Sequence, residues 1–592
     1  MIDQKRENLL NLALAATEVE RRRAPELSAG YNASGKTWEI IVQYQGDLAF
    51  LEGQGVRVTL LLFSYAILLV PESLMDYVTE LPQITYLEKP KPLFFADVFA
   101  RSVSCISPVQ EGISGLYGDG VLLACIDSGV DYAHPDFCAS DGTSRIALLW
   151  DQTIPGNPPM GYALGSVYTR RQINEALAAS SPTERFALVP SRDATGHGTA
   201  VLGIAAGNGR SSADGAMRGV APEATLVVVK LGNPDPADLP RTSQLLQAVD
   251  FCVRYALLVE RPLVINLSFG NNYGSHSGES LLETYLNAVS NLGQHVICIG
   301  AGNEGNTGRH YAGNLKSDRK SAGQTQTVRA TSALSNPPAV SATADRSVSV
   351  EFQVGAYESS FSLQIWKVYG DEISIELISP GGIRSGTLSP VLGTARLTLG
   401  PTELLLFYGM PSPYSQAQEI YLSFQGAGNH LSVENGIWTL RLIPGRLFSP
   451  TTDTTLTIPS TARSSITVGA YDPRLSSYAS FSGRGYTRIL HEVKPNLAAP
   501  GVNIPAPRSG GGYASFTGTS FATPFVSGSA ALMMEWGILR GNDPFLYGEK
   551  LKAYLIAGAK PIASESEYPN RRVGWGALCL SESLPGYSKT GT

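Results

Sequence analysis

Four apolar runs constrain this chain more than any other feature. Val121-Leu122-Leu123-Ala124-Cys125-Ile126, Thr225–Lys230, Leu263–Leu267 and His295–Ile299 lack the polar alternation of a half-solvated strand. Each therefore reads as a strand buried on both faces. Helical patterns separate them, notably Thr242–Leu257 and Ser280–Leu292. Strands and helices in alternation predict an α/β domain, a parallel sheet flanked by helices on both faces. At 592 residues the chain has room for about four domains, so the sheet is only part of it.

Two other regions have different periods. Trp38–Tyr44, Val56–Leu61, Tyr65–Val70 and Ile84–Glu88 read as strands. A short helix is expected at Leu48–Glu52, stopped by Gly53, and a second one opens at Pro71. The order is βαββαβ, an α+β unit of the ferredoxin-like kind. Between Gln326 and Pro450 the period becomes two. Ser347–Val354, Ser362–Val368, Glu372–Ile378, Ala395–Leu399, Glu403–Tyr408, Glu419–Phe424 and Trp438–Ile443 read as short strands with Gly and Pro turns between them, the pattern of an antiparallel β-sandwich. The α/β character returns at Ser465–Ala470, so the sandwich is inserted rather than appended. The expected division is 1–100 for the α+β unit, 101–325 and 451–592 for the two parts of the α/β domain, and 326–450 for the insert.

Charge and cysteine usage exclude several classes. Forty-five Lys and Arg against 51 Asp and Glu give a net charge of −6, which argues against binding driven by phosphate neutralisation. Arg21-Arg22-Arg23 is the longest arginine cluster and reads as a solvated helix end. The six cysteines are scattered without paired spacing, so buried free thiols are expected and a disulfide framework or zinc site is not. Asn11 breaks the Leu9–Ala16 run and no clean cleavage site follows, so an amphipathic helix is expected there rather than a signal peptide. Leu60–Val70 is too short to span a bilayer.

The chemistry concentrates in three motifs. Asp127-Ser128-Gly129-Val130-Asp131 ends the first buried strand, with His134-Pro135-Asp136-Phe137 just beyond. Gly196-His197-Gly198-Thr199 and Gly518-Thr519-Ser520-Phe521-Ala522 each open an apolar helical segment. Alone, the first is an ordinary cap or turn, the second a structural turn and the third an N-cap. Together they supply what a serine nucleophile needs: a base to take its proton and a carboxylate to orient that base. His134 is the rival base, while Asp131 and Asp136 read as turn residues. Two further segments follow buried strands: Ala301-Gly302-Asn303-Glu304-Gly305, and Asn266-Leu267-Ser268-Phe269-Gly270.

These motifs, in this order, resemble those of the subtilisin-like serine peptidases. The resemblance implies Ser520 as nucleophile, His197 as general acid/base, Asp127 as its orienter and Asn303 as an oxyanion donor beside the Ser520 backbone N–H. It implies that Ser268, Phe269 and Gly270 line the substrate strand, with packing as the alternative for Phe269. Asn233-Pro234-Asp235-Pro236 stands where that family has substrate-edge glycines, a departure that affects the outer subsites. An α+β prodomain together with an inserted sandwich is similar to the clostridial germination-specific Csp proteases. That likeness implies a jelly-roll insert, a prodomain cut by the protein itself between about Pro92 and Ser107 and able to stay bound, and a protein substrate that is a cortex-lytic hydrolase zymogen. A cytoplasmic or spore-associated location goes with it, as do no nucleic-acid partner and no membrane span. No cofactor is required; calcium, common in the family, is left open because no acidic cluster has ligand spacing. The alternatives are a general intracellular or secreted subtilase, a pseudoprotease acting in signalling, and a glycan-binding role for the sandwich.

Overall fold

The computed structural model describes residues 5–16, 30–33, 35–61, 64–89, 96–111, 115–232, 240–305, 310–311, 347–411, 417–444, 455–488 and 491–585. Arg21–Arg23, Asn233–Pro236, and 326–346 and 445–450 of the expected insert lie outside these residues. Two compact units result, Met1–Phe95 and Ala96–Thr592.

The first unit is built on an antiparallel sheet in the order Ile84–Glu88, Thr37–Tyr44, Tyr65–Pro71, Arg57–Leu61. The short strand Tyr31–Asn32 pairs with the start of Thr37–Tyr44. Alternation decides which face is inside: Trp38, Ile40 and Val42 are buried while Glu39 is exposed. Leu10 and Ala13 of the Asn8–Ala15 helix and Met75 and Val78 of the Met75–Glu80 helix close the same core. The expected helix at Leu48–Glu52 is a 3-10 helix, Ala49–Gln54. It runs past Gly53 and ends at Gly55, whose φ of 85° is the left-handed conformation that terminates a helix at little cost to glycine.

The second unit is organised by a largely parallel sheet. Its strands run Ser477–Tyr478, Ile466–Asp472, His295–Gly300, Leu263–Leu267, Leu122–Asp127, Thr225–Lys230, Ile146–Asp151, Ser166–Thr169, and Leu497–Pro500 also pairs with Ile466–Asp472. The four apolar runs lie side by side at its centre, in parallel register. Every residue of Leu122–Asp127 is buried, as expected when both faces are covered. Two helices on one face, His197–Ala206 and Thr519–Met534, are buried nearly or wholly along their length and pack together. That burial is why both sequences are apolar on all sides.

Residues 348–411 and 417–444 form two facing antiparallel sheets. One holds Val348–Val354, Gly436–Pro444 and Ile373–Ile378; the other holds Ser360–Val368, Ala417–Gly426, Thr402–Tyr408 and Gly393–Leu399. Trp438, Phe424, Leu404, Leu422 and Ile375 fill the space between them. Gln364 Oε1 accepts from Gly274 N at 3.0 Å and the Trp366 carbonyl accepts from Arg488 at 3.3 Å, so one sheet is tied to loops of the unit that carries it. Among the described residues, no helix is long and apolar enough to cross a membrane.

The cysteines depart from expectation. Cys105 and Cys579, 474 residues apart in sequence, form a disulfide, while Cys125, Cys138, Cys252 and Cys298 are free and buried. Spacing carries no trace of such a pair. Tertiary contact creates it: Leu580 N donates to the Ser104 carbonyl at 2.9 Å, bringing the two segments together. A bond across so long a loop stabilises by about 2 to 5 kcal/mol. Cys105→Ser is therefore expected to melt at lower temperature than the parent, and dithiothreitol is expected to lower the parent's melting temperature while leaving the variant's unchanged.

Candidate active site

Asp127, the last residue of a central buried strand, and His197, the first of a buried helix, meet because both lie at the carboxyl end of the sheet, where open α/β sheets build their sites. His197 Nδ1–H donates to Asp127 Oδ1 at 2.6 Å, and Ser128 N donates to the same oxygen at 2.7 Å. The contact needs glycine at 198: a Cβ there would come within 2.2 Å of the Gly129 carbonyl. The His197 side chain is partly exposed, and the Phe521 ring packs edge-on to it, the ring centroids 5.3 Å apart.

Sequence reasoning missed Asp193, which holds this pair together. It is buried, and its Oδ1 accepts from Ser128 Oγ at 2.8 Å and Gly196 N at 3.0 Å. Its Oδ2 accepts from Thr199 N at 2.8 Å and Thr199 Oγ1 at 2.6 Å. Ser128 Oγ in turn accepts from Gly198 N at 2.9 Å. One carboxylate thus stitches the Asp127 loop to the first turn of the His197 helix, satisfying N–H groups the helix cannot. An aspartate just ahead of a Gly-rich helix start was the available signal.

Ser520 is the second residue of the Thr519–Met534 helix. Its hydroxyl donates to the Ser268 carbonyl at 2.8 Å rather than to His197. Ser268 Oγ donates back to the Ser520 carbonyl at 3.0 Å. Behind it runs a buried relay, Ser527 Oγ to Asn266 Oδ1 at 2.7 Å and Asn266 Nδ2 to Ser268 Oγ at 2.9 Å, which fixes the strand edge 268–270 against the helix. Asn303 Oδ1 accepts from Thr519 N at 2.9 Å and Thr519 Oγ1 at 3.1 Å. Those donors settle which end of the amide is oxygen, so Nδ2 faces away from Thr519.

The remaining candidates sort out by their contacts. His134 is buried, with Nδ1 accepting from Asp136 N at 3.3 Å and Nε2 3.3 Å from the Gly512 carbonyl, so it is engaged away from Ser520. Asp131 accepts from Gly510 N and Asp136 from Tyr513 OH; both anchor the 507–513 turn. Phe269 is half-buried and packs on the apolar cluster that includes Leu122 and Ile265. Gly270 and Gly302 both face Thr457: a Cβ on Gly270 would lie 2.6 Å from Thr457 Oγ1, and one on Gly302 2.4 Å from Thr457 Cγ2. Thr457, also missed in the sequence, therefore fills the gap between the two edges that flank Ser520. Its backbone is pinned there by Thr457 N to the Ala301 carbonyl at 3.1 Å. Among the described residues, no group of three or more His, Cys, Asp or Glu is arranged to hold a metal ion.

Burial pulls the His197 pKa down, but Asp127, through charge and hydrogen bond, and Asp193 behind it outweigh burial, so the net shift is upward from the usual 6.5. A raised folded-state pKa means that the imidazolium stabilises the fold fully below the unfolded pKa of about 6.5, and that this stabilisation is lost as pH rises through the folded value. In Ser520→Ala protein, NMR titration of the His197 ring is expected to give a midpoint above 6.5, and Asp193→Asn is expected to move that midpoint down.

Sequence profiles and known structures add to this geometry. The profile described as Subtilase family matches residues 118–405 and 411–576, and the one described as Csp protease B prodomain matches residues 4–91. The solved CspB protease of Clostridium perfringens superposes with a TM-score of 0.71 at 31% identity, covering 82% of this chain and 96% of that one. The PIII-type proteinase of Lactococcus lactis subsp. cremoris is 22% identical over 557 residues, 86% of this chain but 27% of its own length. The serine protease AprX of Bacillus subtilis is 34% identical over 152 residues, 22% of this chain and 32% of its own. The chain thus spans only about a quarter of the length of the Lactococcus relative.

Proposed function

The chain belongs to the subtilase family, and we propose that it is an active serine endopeptidase that cuts its own prodomain free. The observation carrying this reading is the 2.6 Å bond from His197 to Asp127 at the edge of the cleft where Ser520 opens its helix. In the mechanism we propose, His197 Nε2 takes the Ser520 proton as Oγ attacks the scissile carbonyl. Asp127 holds the ring in the Nδ1–H tautomer and stabilises the imidazolium. Asn303 Nδ2 and the Ser520 backbone N–H receive the developing oxyanion, and the helix N-terminus adds its positive end. His197 then returns the proton to the leaving amine, and water repeats the sequence on the acyl-enzyme. At rest the Ser520 hydroxyl bonds the Ser268 carbonyl. A substrate strand pairing along Ser268–Gly270 would compete for that carbonyl through its own N–H and free the hydroxyl to turn toward His197.

Thr457 then bounds the pocket for the residue before the scissile bond. We expect small residues such as Ala or Ser to be accepted best there, and Thr457→Gly to raise kcat/KM for Leu and Phe peptides relative to Ala peptides. A parent that already prefers Phe would remove Thr457 from this role.

Within the family, we assign the chain to the germination-type Csp proteases, on the support of the prodomain profile. The assignment carries the sequence-derived boundaries (1–100, 101–325, 326–450, 451–592), a prodomain that stays bound, a hydrolase zymogen as substrate and a spore-associated site of action. A jelly-roll insert is supported by its outer wrap: the first and last strands pair, as do the second and the penultimate. The cut is expected between Pro92 and Ser107. It should fall ahead of the Ala96–Val103 helix, because a helical segment cannot lie extended beside a strand. Ser520→Ala should remain one chain by intact mass; cutting of that variant expressed alone would assign the cleavage to another protease. His197→Ala and Ser520→Ala should each lose about a millionfold in kcat, the loss subtilisin itself shows, and Asn303→Ala about 100- to 1,000-fold, again a subtilisin figure. A fluorophosphonate probe should label the parent at Ser520; a pseudoprotease would stay unlabelled.

A further inference from the structure

Lys494 is fully buried, yet among the described residues no carboxylate bonds it. Its Nζ lies 2.8 Å from the Ala462 carbonyl, 2.8 Å from the Ser465 carbonyl, 3.0 Å from Thr467 Oγ1 and 3.2 Å from Asn496 Oδ1. Four neutral oxygens thus converge on one point. Thr467 Oγ1 donates its own proton to the Ser460 carbonyl, and Asn496 Oδ1 also accepts from Thr467 N, so both face Nζ as acceptors. Burial draws the pKa of such an amine down. A neutral amine, however, would turn its lone pair on one of these oxygens, whereas an ammonium offers three donors to them.

The loop around this point is held from the outside as well. Thr461 donates to Glu283, Arg463 to Glu492, and Ser464 to Glu549. The Ala462 and Ser465 carbonyls point to Lys494, while the Thr461, Arg463 and Ser464 side chains between them reach three carboxylates. That is how a chain wraps a cation, with negative charge one layer removed. The oxygens suit a large monovalent ion: they are neutral, as in potassium-selective carbonyl cages, and they stand farther from the centre than the roughly 2.3 to 2.6 Å of calcium.

We propose that Lys494 is a built-in cation: its ammonium fills an oxygen cage that would otherwise take a free monovalent cation, and so holds the Thr457–Thr467 segment, which borders the Ser520 cleft, without any added ion. Removing the side chain turns the cage into a binding site for potassium or ammonium. The test uses the full chain, melted in choline, potassium and ammonium chlorides at equal ionic strength. The parent should melt at the same temperature in all three. Lys494→Ala should melt several degrees lower in choline, and ammonium or potassium should recover the loss with saturation, as for any ligand that binds only the folded state. Fluorophosphonate labelling of Ser520 should fall and recover in step. Lys494→Ala that refolds from denaturant only in ammonium or potassium also supports the proposal. A folded variant that melts alike in all three salts overturns it. If Lys494→Ala folds in none of them, Lys494→Ser is the deciding variant, and its insensitivity to the cation overturns the proposal equally.

Discussion

The structure depends on two helices that have no solvent face. His197–Ala206 and Thr519–Met534 lie against the central sheet and against each other, and small residues let them approach: a Cβ on Gly528 would come within 2.8 Å of the Ala205 carbonyl. Close packing of this kind leaves little room for one helix to slide on the other. Their first residues are therefore fixed at one end of the sheet, and those residues include His197 and Ser520. A site assembled from sequence positions hundreds of residues apart is brought together first by this packing.

Polar contacts then refine what packing delivers. Asp193 satisfies five donors around the His197 helix start, and the Ser527–Asn266–Ser268 relay sets the strand edge beside Ser520. Both are buried, so each member is costly to leave unpaired, and that cost is what makes their geometry definite. Lys494 does the same for the segment carrying Thr457, with an ammonium instead of a hydrogen-bonded carboxylate. The floor of the cleft, the nucleophile and the base are thus each fixed by a separate buried polar group.

The likeness to the Clostridium perfringens CspB protease extends over most of both chains, and the subtilase profile spans both sides of the sandwich. The sandwich has its own core and is hydrogen-bonded to neighbouring loops. It contributes none of the residues around Ser520 described above.

The sequence by itself determined the buried parallel sheet, because apolar runs such as Val121–Ile126 leave a strand no solvent face, and it placed Asp127, His197 and Ser520 beside glycines at element ends. Asn303, Ser268 and Gly270 were singled out by the resemblance to the subtilases, not by local pattern. Only the tertiary structure decided the rest. Cys105 meets Cys579, Thr457 enters the gap between Gly270 and Gly302, and four oxygens gather on Lys494, none of which local pattern records. The physical reason is the same in each case: periodicity and turn chemistry report on neighbours along the chain, whereas these contacts join segments whose distance is set by how the sheet and its two buried helices close-pack.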